Sequence, residues 1–114
     1  MDIHTRKHLT GHWRKDRSED FVTLDHNHEC RFSLGGFAFE GKAKYERNNG
    51  GFIMEFPHHG ERLLFVLSLN RDPLAFSSSD QASAVIGPTY IDPFERGIYY
   101  DTTLTKQPPS APAP

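Results

Sequence analysis

Three residues spaced two apart, His26, His28 and Cys30, are the first group in this sequence whose types could do chemistry. Alternate residues of a strand share a face, so two imidazoles and a thiol could bind zinc or copper together. Asp25 and Asn27, however, are turn formers, and the spacing of two has no such meaning in a turn. The pattern favours a hairpin tip, and we predict neither a metal site nor a cofactor.

The other candidate groups for catalysis are weaker. His58 and His59 lie in a segment with Pro57 and Gly60 that is typical of a turn, so solvated surface histidines are expected. Cys30 alternates with apolar residues, which indicates a buried small side chain rather than an activated thiolate. The catalytic residues, if any, are unknown from the sequence, and whether the protein is an enzyme stays open.

Aromatic side chains that alternation would turn inward are the main remaining chemical resource. A mostly apolar cavity with a few polar groups is what a small-molecule site requires. Gly41 and Ala43 are small and could leave space on the same face. We therefore predict that the protein binds a small apolar or aromatic molecule, with Tyr45 and Tyr100 as polar contacts. The predicted ligand-binding residues are Trp13, Phe39, Tyr45, Met54, Phe65 and Tyr100.

Strands must position these side chains. Between Phe37 and Arg47, apolar or small residues alternate with Glu40, Lys42, Lys44 and Glu46, which predicts a strand with one solvated face. Less regular alternation covers 29–34, 52–56, 62–69 and 97–106. Turn formers separate these segments, among them Gly35-Gly36 and Gly87-Pro88, and Asn49-Gly50 is the clearest hairpin signal. The segment 62–69 is apolar on both faces, as expected for a covered strand.

These segments predict an all-β fold, an antiparallel up-and-down meander of about eight strands that closes into a small barrel. The predicted organisation is a flexible N-terminal segment over residues 1–8, one barrel domain over 9–106 and a disordered Pro-rich tail over 107–114.

Gly11-His12-Trp13 at the start of this meander resembles the Gly-x-Trp that opens the first strand in the calycin group, which comprises lipocalins, fatty-acid-binding proteins and avidins. The resemblance implies a calycin-like barrel in which Trp13 closes one end. It also implies a basic residue from late in the chain as a cover for this ring, either Arg96 or Lys106.

Composition limits the classes of partner. The 114 residues carry a formal charge of −2, with interspersed basic and acidic side chains, so no nucleic-acid or membrane partner is expected. The single cysteine excludes an intrachain disulfide. The charged start lacks the apolar run of a secretory signal, and we predict a cytoplasmic location.

Two alternatives to simple binding remain. The first is a small barrel enzyme that promotes an isomerisation or cyclisation of a largely apolar substrate, using shape and one or two acid/base groups. Asp101 beside Tyr100 is a candidate, although alternation places the two on opposite faces. The second is a homodimeric interaction module, in which Leu64 and Val66 contact a second copy.

Overall fold

A computed structural model describes residues 7–46, 51–69, 80–89 and 97–108 of the chain. Within these ranges a short helical turn over residues 7–9 precedes nine strands. The strands are β1 (Gly11–Arg14), β2 (Phe21–Leu24), β3 (Glu29–Leu34), β4 (Phe37–Lys42), β5 (Lys44–Glu46), β6 (Gly51–His58), β7 (Glu61–Leu69), β8 (Gln81–Pro88) and β9 (Tyr100–Lys106).

All strand pairs are antiparallel, and they form one sheet in the order β4-β3-β2-β1-β9-β8-β7-β6-β5. The two ends of this sheet, β4 and β5, are consecutive in the chain and are separated only by Ala43. Its N–H still donates to the carbonyl of His28 beyond β3, at 2.8 Å. One extended stretch therefore pairs first with β3 and then with β6, and the sheet curls into a nearly closed barrel.

The predicted all-β meander is confirmed, with nine strands instead of about eight. β2 and β8 lie outside the segments whose alternation predicted strands. The stretch predicted as one strand from Phe37 to Arg47 divides at Ala43, where its ladder changes partner. Its alternation is confirmed along β4, where Phe37, Phe39 and Gly41 are half-buried and the residues between them are exposed.

Two predicted turns are wrong in extent. Pro57 and His58 belong to β6, and the turn occupies only His59 and Gly60. Pro57 is tolerated because β6 pairs with β5 only from Gly51 to Ile53. From Met54 onward this edge of β6 needs no N–H for a ladder, so the missing N–H of Pro57 costs no hydrogen bond there. Gly87 and Pro88 likewise end β8 rather than forming a turn.

The core lies inside the barrel, where alternate residues of every strand meet. Its largest fully buried side chains include Trp13, Phe32, Phe52, Phe56 and Phe65. Phe32 of β3 and Phe65 of β7 stack with their ring centroids 4.4 Å apart, and Phe56 meets Phe32 edge to face at 5.0 Å. Such ring pairs stabilise the core beyond their buried area.

Several sequence predictions lie outside the described residues: the hairpin at Asn49-Gly50, the cover by Arg96 and most of the Pro-rich tail. In the part of the chain that is described, no helix is long and apolar enough to cross a membrane. The cytoplasmic location stays a prediction.

Candidate functional site

One side of the barrel has no hydrogen-bonded ladder among the described strands. From Met54 onward β6 faces β4, but the two strands are not neighbours in the sheet. Side chains bridge this interval, which we call the β4–β6 gap. Phe37 contacts His58 with ring centroids 4.6 Å apart, and Phe39 lies 6.0 Å from Phe56.

Residues on the inner face remain accessible at this gap. Phe37, Phe39 and Gly41 belong to the inner face because they pair with the buried residues Leu34, Phe32 and Cys30. They are nevertheless only half-buried, whereas most inward side chains of the other strands are nearly fully covered. The gap is therefore a place where apolar interior surface can be reached from outside.

A side chain at Gly41 would meet residues of both β4 and β6. A Cβ atom at Gly41 would lie 2.8 Å from the Phe39 ring and 3.4 Å from the sulfur of Met54. Any side chain here would thus displace Phe39 or fill the space beside Met54. That Gly41 leaves room for a ligand stays a prediction.

The six predicted ligand-binding residues all lie on the inner face, but in different surroundings. Trp13 and Phe65 are fully buried, and Met54 is 4% exposed. Phe39, Tyr45 and Tyr100 are partly buried and pack against the core. The last three are therefore the ones that a bound molecule could reach without rearrangement of the core.

Trp13 is fully buried and pairs with Lys106 at the end of β9. Its indole Nε1 donates to the carbonyl of Leu9 at 2.9 Å, and the Lys106 ammonium lies 5.6 Å from its ring centroid. Lys106 also donates to the carbonyl of His8 at 2.5 Å. The basic cover implied by the resemblance is thus supplied by Lys106, and burial lowers the pKa of this side chain.

Tyr100 lies at the opposite end, where β9 begins. Its hydroxyl donates to the Asp20 carboxylate, whose other oxygen accepts the N–H of Gly35 at 3.1 Å. The hydrogen bond to Asp20, reinforced by burial, raises the pKa of Tyr100. Asp101 is exposed and points outward, so Asp20 is the carboxylate that pairs with this tyrosine.

Sequence reasoning missed Asp20 and Gly35, because 80 residues separate Asp20 from Tyr100 and nothing local connects them. A Cβ at Gly35 would lie 2.6 Å from the Tyr100 ring, so the glycine allows the ring to pack on the backbone. The turn predicted at Gly35-Gly36 is confirmed. No pattern in the sequence predicts that this turn contacts β9.

Thr102 is the other polar group of interest on the inner face of β9. Its Oγ1 is buried and has no hydrogen-bond partner within the described residues. It lies close enough to the Tyr100 phenol to oppose the rise in that pKa, but the two oxygens do not meet hydrogen-bond geometry. Thr102 is not among the six residues predicted to bind a ligand.

The histidine and cysteine cluster is divided by the fold. Asp25 forms the predicted turn, with its Oδ1 accepting the N–H groups of Asn27 and Glu29 at 2.8 and 3.0 Å. Cys30 is buried on the inner face, and burial raises its pKa to about 12, so it is a neutral thiol. Across the described ranges, no three His, Cys, Asp or Glu side chains are grouped to hold a metal ion.

A separate groove of about 890 Å³ lies on the outside, between the loop after β1 and the end of β9. Its lining is polar and of mixed charge: Arg14, Lys15, Asp16, Arg17, Ser18, Glu19, Thr105 and Gln107. It therefore does not suit the apolar molecule predicted from the sequence.

No family model, curated protein or solved structure matches this chain. Functional assignment must therefore come from the geometry of the barrel itself.

Proposed function

We propose that this protein binds a small, largely apolar molecule inside its barrel and admits it through the β4–β6 gap. The observation that carries this proposal is the half-buried state of Phe37, Phe39 and Gly41, which belong to the inner face. Binding would cover this apolar surface, and each Å² removed from water would contribute about 25 cal/mol of favourable free energy. Mostly apolar walls with few polar groups are typical of small-molecule sites.

The class of protein that fits this reading is a calycin-like binding barrel. Three features support it: the Gly11-x-Trp13 opening, the Lys106 ammonium over the Trp13 ring, and the helical turn whose carbonyls accept from both side chains. We propose from the combination of these three features that the protein is related to the calycins. The combination is needed because each feature alone is common.

The test is a fluorescence titration of the full chain with the neutral probe N-phenyl-1-naphthylamine. Gly41→Leu should fill the gap and weaken probe binding at least about tenfold, because one buried leucine adds steric bulk against Phe39 and Met54. Ala38→Leu is the matched control, since Ala38 is exposed on the same strand. Circular dichroism should show that both variants are folded.

Absence of saturable probe binding by the native chain would refute the proposal. Equal probe affinity for the Gly41→Leu and Ala38→Leu variants would refute entry at the gap. Native mass spectrometry of the freshly purified chain provides an independent reading, because a retained small molecule would add a discrete mass.

A second candidate, an enzyme that transfers a proton, is favoured by the Tyr100 and Asp20 pair. The Tyr100 phenol and the Asp20 carboxylate are an acid and a base joined by one hydrogen bond, and proton transfer to or from a substrate needs such groups in place. Incubation with cyclodecanone in D₂O tests this: exchange of hydrogen for deuterium beside the carbonyl should exceed the buffer rate and be lost in Tyr100→Phe. An unchanged rate in the variant would exclude this pair.

The homodimer stays an alternative of the interaction class. Leu64 and Val66 face outward and are half-buried, and Val66 lies in a cross-strand row between Ile53 and Val85. Light scattering at high micromolar concentration distinguishes this reading, since a mass of one chain would exclude it.

A further inference from the structure

We infer that the molecule bound in the barrel is uncharged and carries one hydrogen-bonding oxygen, which the Thr102 hydroxyl receives. This inference rests on the proposed binding function and specifies the chemical class of its ligand.

The position of Thr102 is fixed by the register of β8 and β9. Thr102 pairs with Ala84, which is fully buried, so both side chains point into the barrel. The neighbouring inward residue of β8, Ala82, is also an alanine with no exposed surface. Ala84 is thus a small partner for Thr102, and the next inward residues of β8 on its two sides are Ala82 and the buried Ile86.

The hydroxyl has no partner within the described residues. A buried polar group without a hydrogen bond is costly, and native structures rarely retain one without a water or ligand to satisfy it. A valine would have nearly the same shape without this penalty. The hydroxyl on this inner wall therefore points to a ligand group that can donate or accept one hydrogen bond.

The charges on the inner face of the barrel restrict the chemical class of the ligand further. An anionic group needs a cation when it is removed from water. Among the described inward residues the only Lys or Arg is Lys106, and its ammonium is already engaged by the His8 carbonyl and the Trp13 ring. The Cys30 thiol is neutral, and the Tyr100 hydroxyl donates to Asp20. In these ranges no Lys or Arg is left to pair with an anion in the interior, and the inward imidazole of His58 lies out at the gap against Phe37, which disfavours a carboxylate at Thr102.

β9 also lies far from the gap in the strand order, with three strands between it and β4 and three between it and β5. An elongated molecule that enters at the β4–β6 gap would therefore bring its inner end toward this wall. Its polar group would meet Thr102, and its apolar part would remain among the aromatic rings.

The experiment compares matched ten-carbon competitors in displacement of N-phenyl-1-naphthylamine at pH 8. We expect 1-decanol to displace the probe at a concentration at least about tenfold lower than decanoate does, because only the carboxylate is charged. Thr102→Val should weaken decanol binding about fivefold, while Thr103→Val, the same change on the outer face, should leave it unchanged.

Each outcome has one meaning. If decanoate matches or exceeds decanol, the inference is wrong while the proposed binding function stands. If Thr102→Val and Thr103→Val behave alike, Thr102 is not the contact. If the probe itself does not bind the native chain, both proposals fail. A thermal melt guards against misfolding, since ligand-free Thr102→Val should melt at least as high as the native chain.

Discussion

At the scale of single residues, the Tyr100 hydroxyl links two distant parts of the chain and is sensitive to pH. Its pKa is raised, so the folded state favours the protonated phenol. The unfolded chain releases this proton at lower pH than the folded chain does. The stability that Tyr100 contributes is therefore complete below about pH 10, the ordinary tyrosine value, and is lost as pH rises through the folded pKa.

Tyr100→Phe should remove this alkaline loss. We expect the free energy of unfolding to fall less steeply above pH 10 in the variant than in the native chain. Urea denaturation at a series of pH values measures it. Tyr99→Phe is the control, because Tyr99 is 50% exposed. Parallel pH profiles for the native chain and Tyr100→Phe would contradict the assigned role.

Lys106 is the second residue whose removal has a defined consequence. Lys106→Met keeps the length of the side chain but leaves the His8 carbonyl without its charged donor and the Trp13 ring without its cation. We expect a loss of about 1–3 kcal/mol in the free energy of unfolding, measured by urea denaturation. Lys44→Met, at an exposed position of β5, should change it by less than about 0.5 kcal/mol.

At the scale of elements, the β3–β4 turn depends on two glycines with positive φ, Gly35 at 54° and Gly36 at 92°. Gly36→Ala adds only backbone strain, about 1–2 kcal/mol, because nothing lies within 4 Å of its Cβ. Gly35→Ala adds a collision with the Tyr100 ring and should cost about 1–3 kcal/mol more.

Thermal or urea denaturation of the two glycine variants measures the difference. The double variant Gly35→Ala with Tyr100→Leu should recover part of the loss, since the smaller side chain removes the collision. Equal destabilisation by Gly35→Ala and Gly36→Ala would show that the ring does not restrict this turn.

The elements were predictable from the sequence where their cause is local. The inward residues Phe37, Phe39 and Gly41 show the period of two that predicts β4. The turn at Asp25 is predictable because its own side chain accepts a backbone N–H of the turn. The β4–β6 gap could not be predicted, because it depends on where a strand changes partner. Alternation identifies an inward face, but it does not show which inward residues stay accessible.

The same limit applies to the site. All six predicted ligand-binding residues face inward, yet alternation could not separate the fully buried Trp13 and Phe65 from the half-buried Phe39. Asp20 was missed because its partner Tyr100 lies 80 residues later in the chain. Pairings between distant segments are set by closure of the sheet, which no short window of sequence contains.

At the scale of the whole molecule, the seam between β1 and β9 is the weakest part of the described ladder. Only two residue pairs join these strands, Trp13 with Lys106 and Arg14 with Thr105, whereas eight pairs join β6 to β7 and seven join β7 to β8. The contacts of Lys106 and Tyr100 reinforce the seam from its two ends. Local opening of the barrel should therefore begin there.

Native-state hydrogen exchange followed by mass spectrometry tests this expectation. Peptides from β1 and β9 should exchange through a local opening whose free energy is below that of global unfolding, and peptides from β7 should exchange only with global unfolding. Lys106→Met should accelerate exchange in β1 and β9 by a larger factor than in β7, since it removes a contact that holds only the seam. If β7 exchanges as fast as β1 in the native chain, the barrel opens as one unit and the seam is not its weak point.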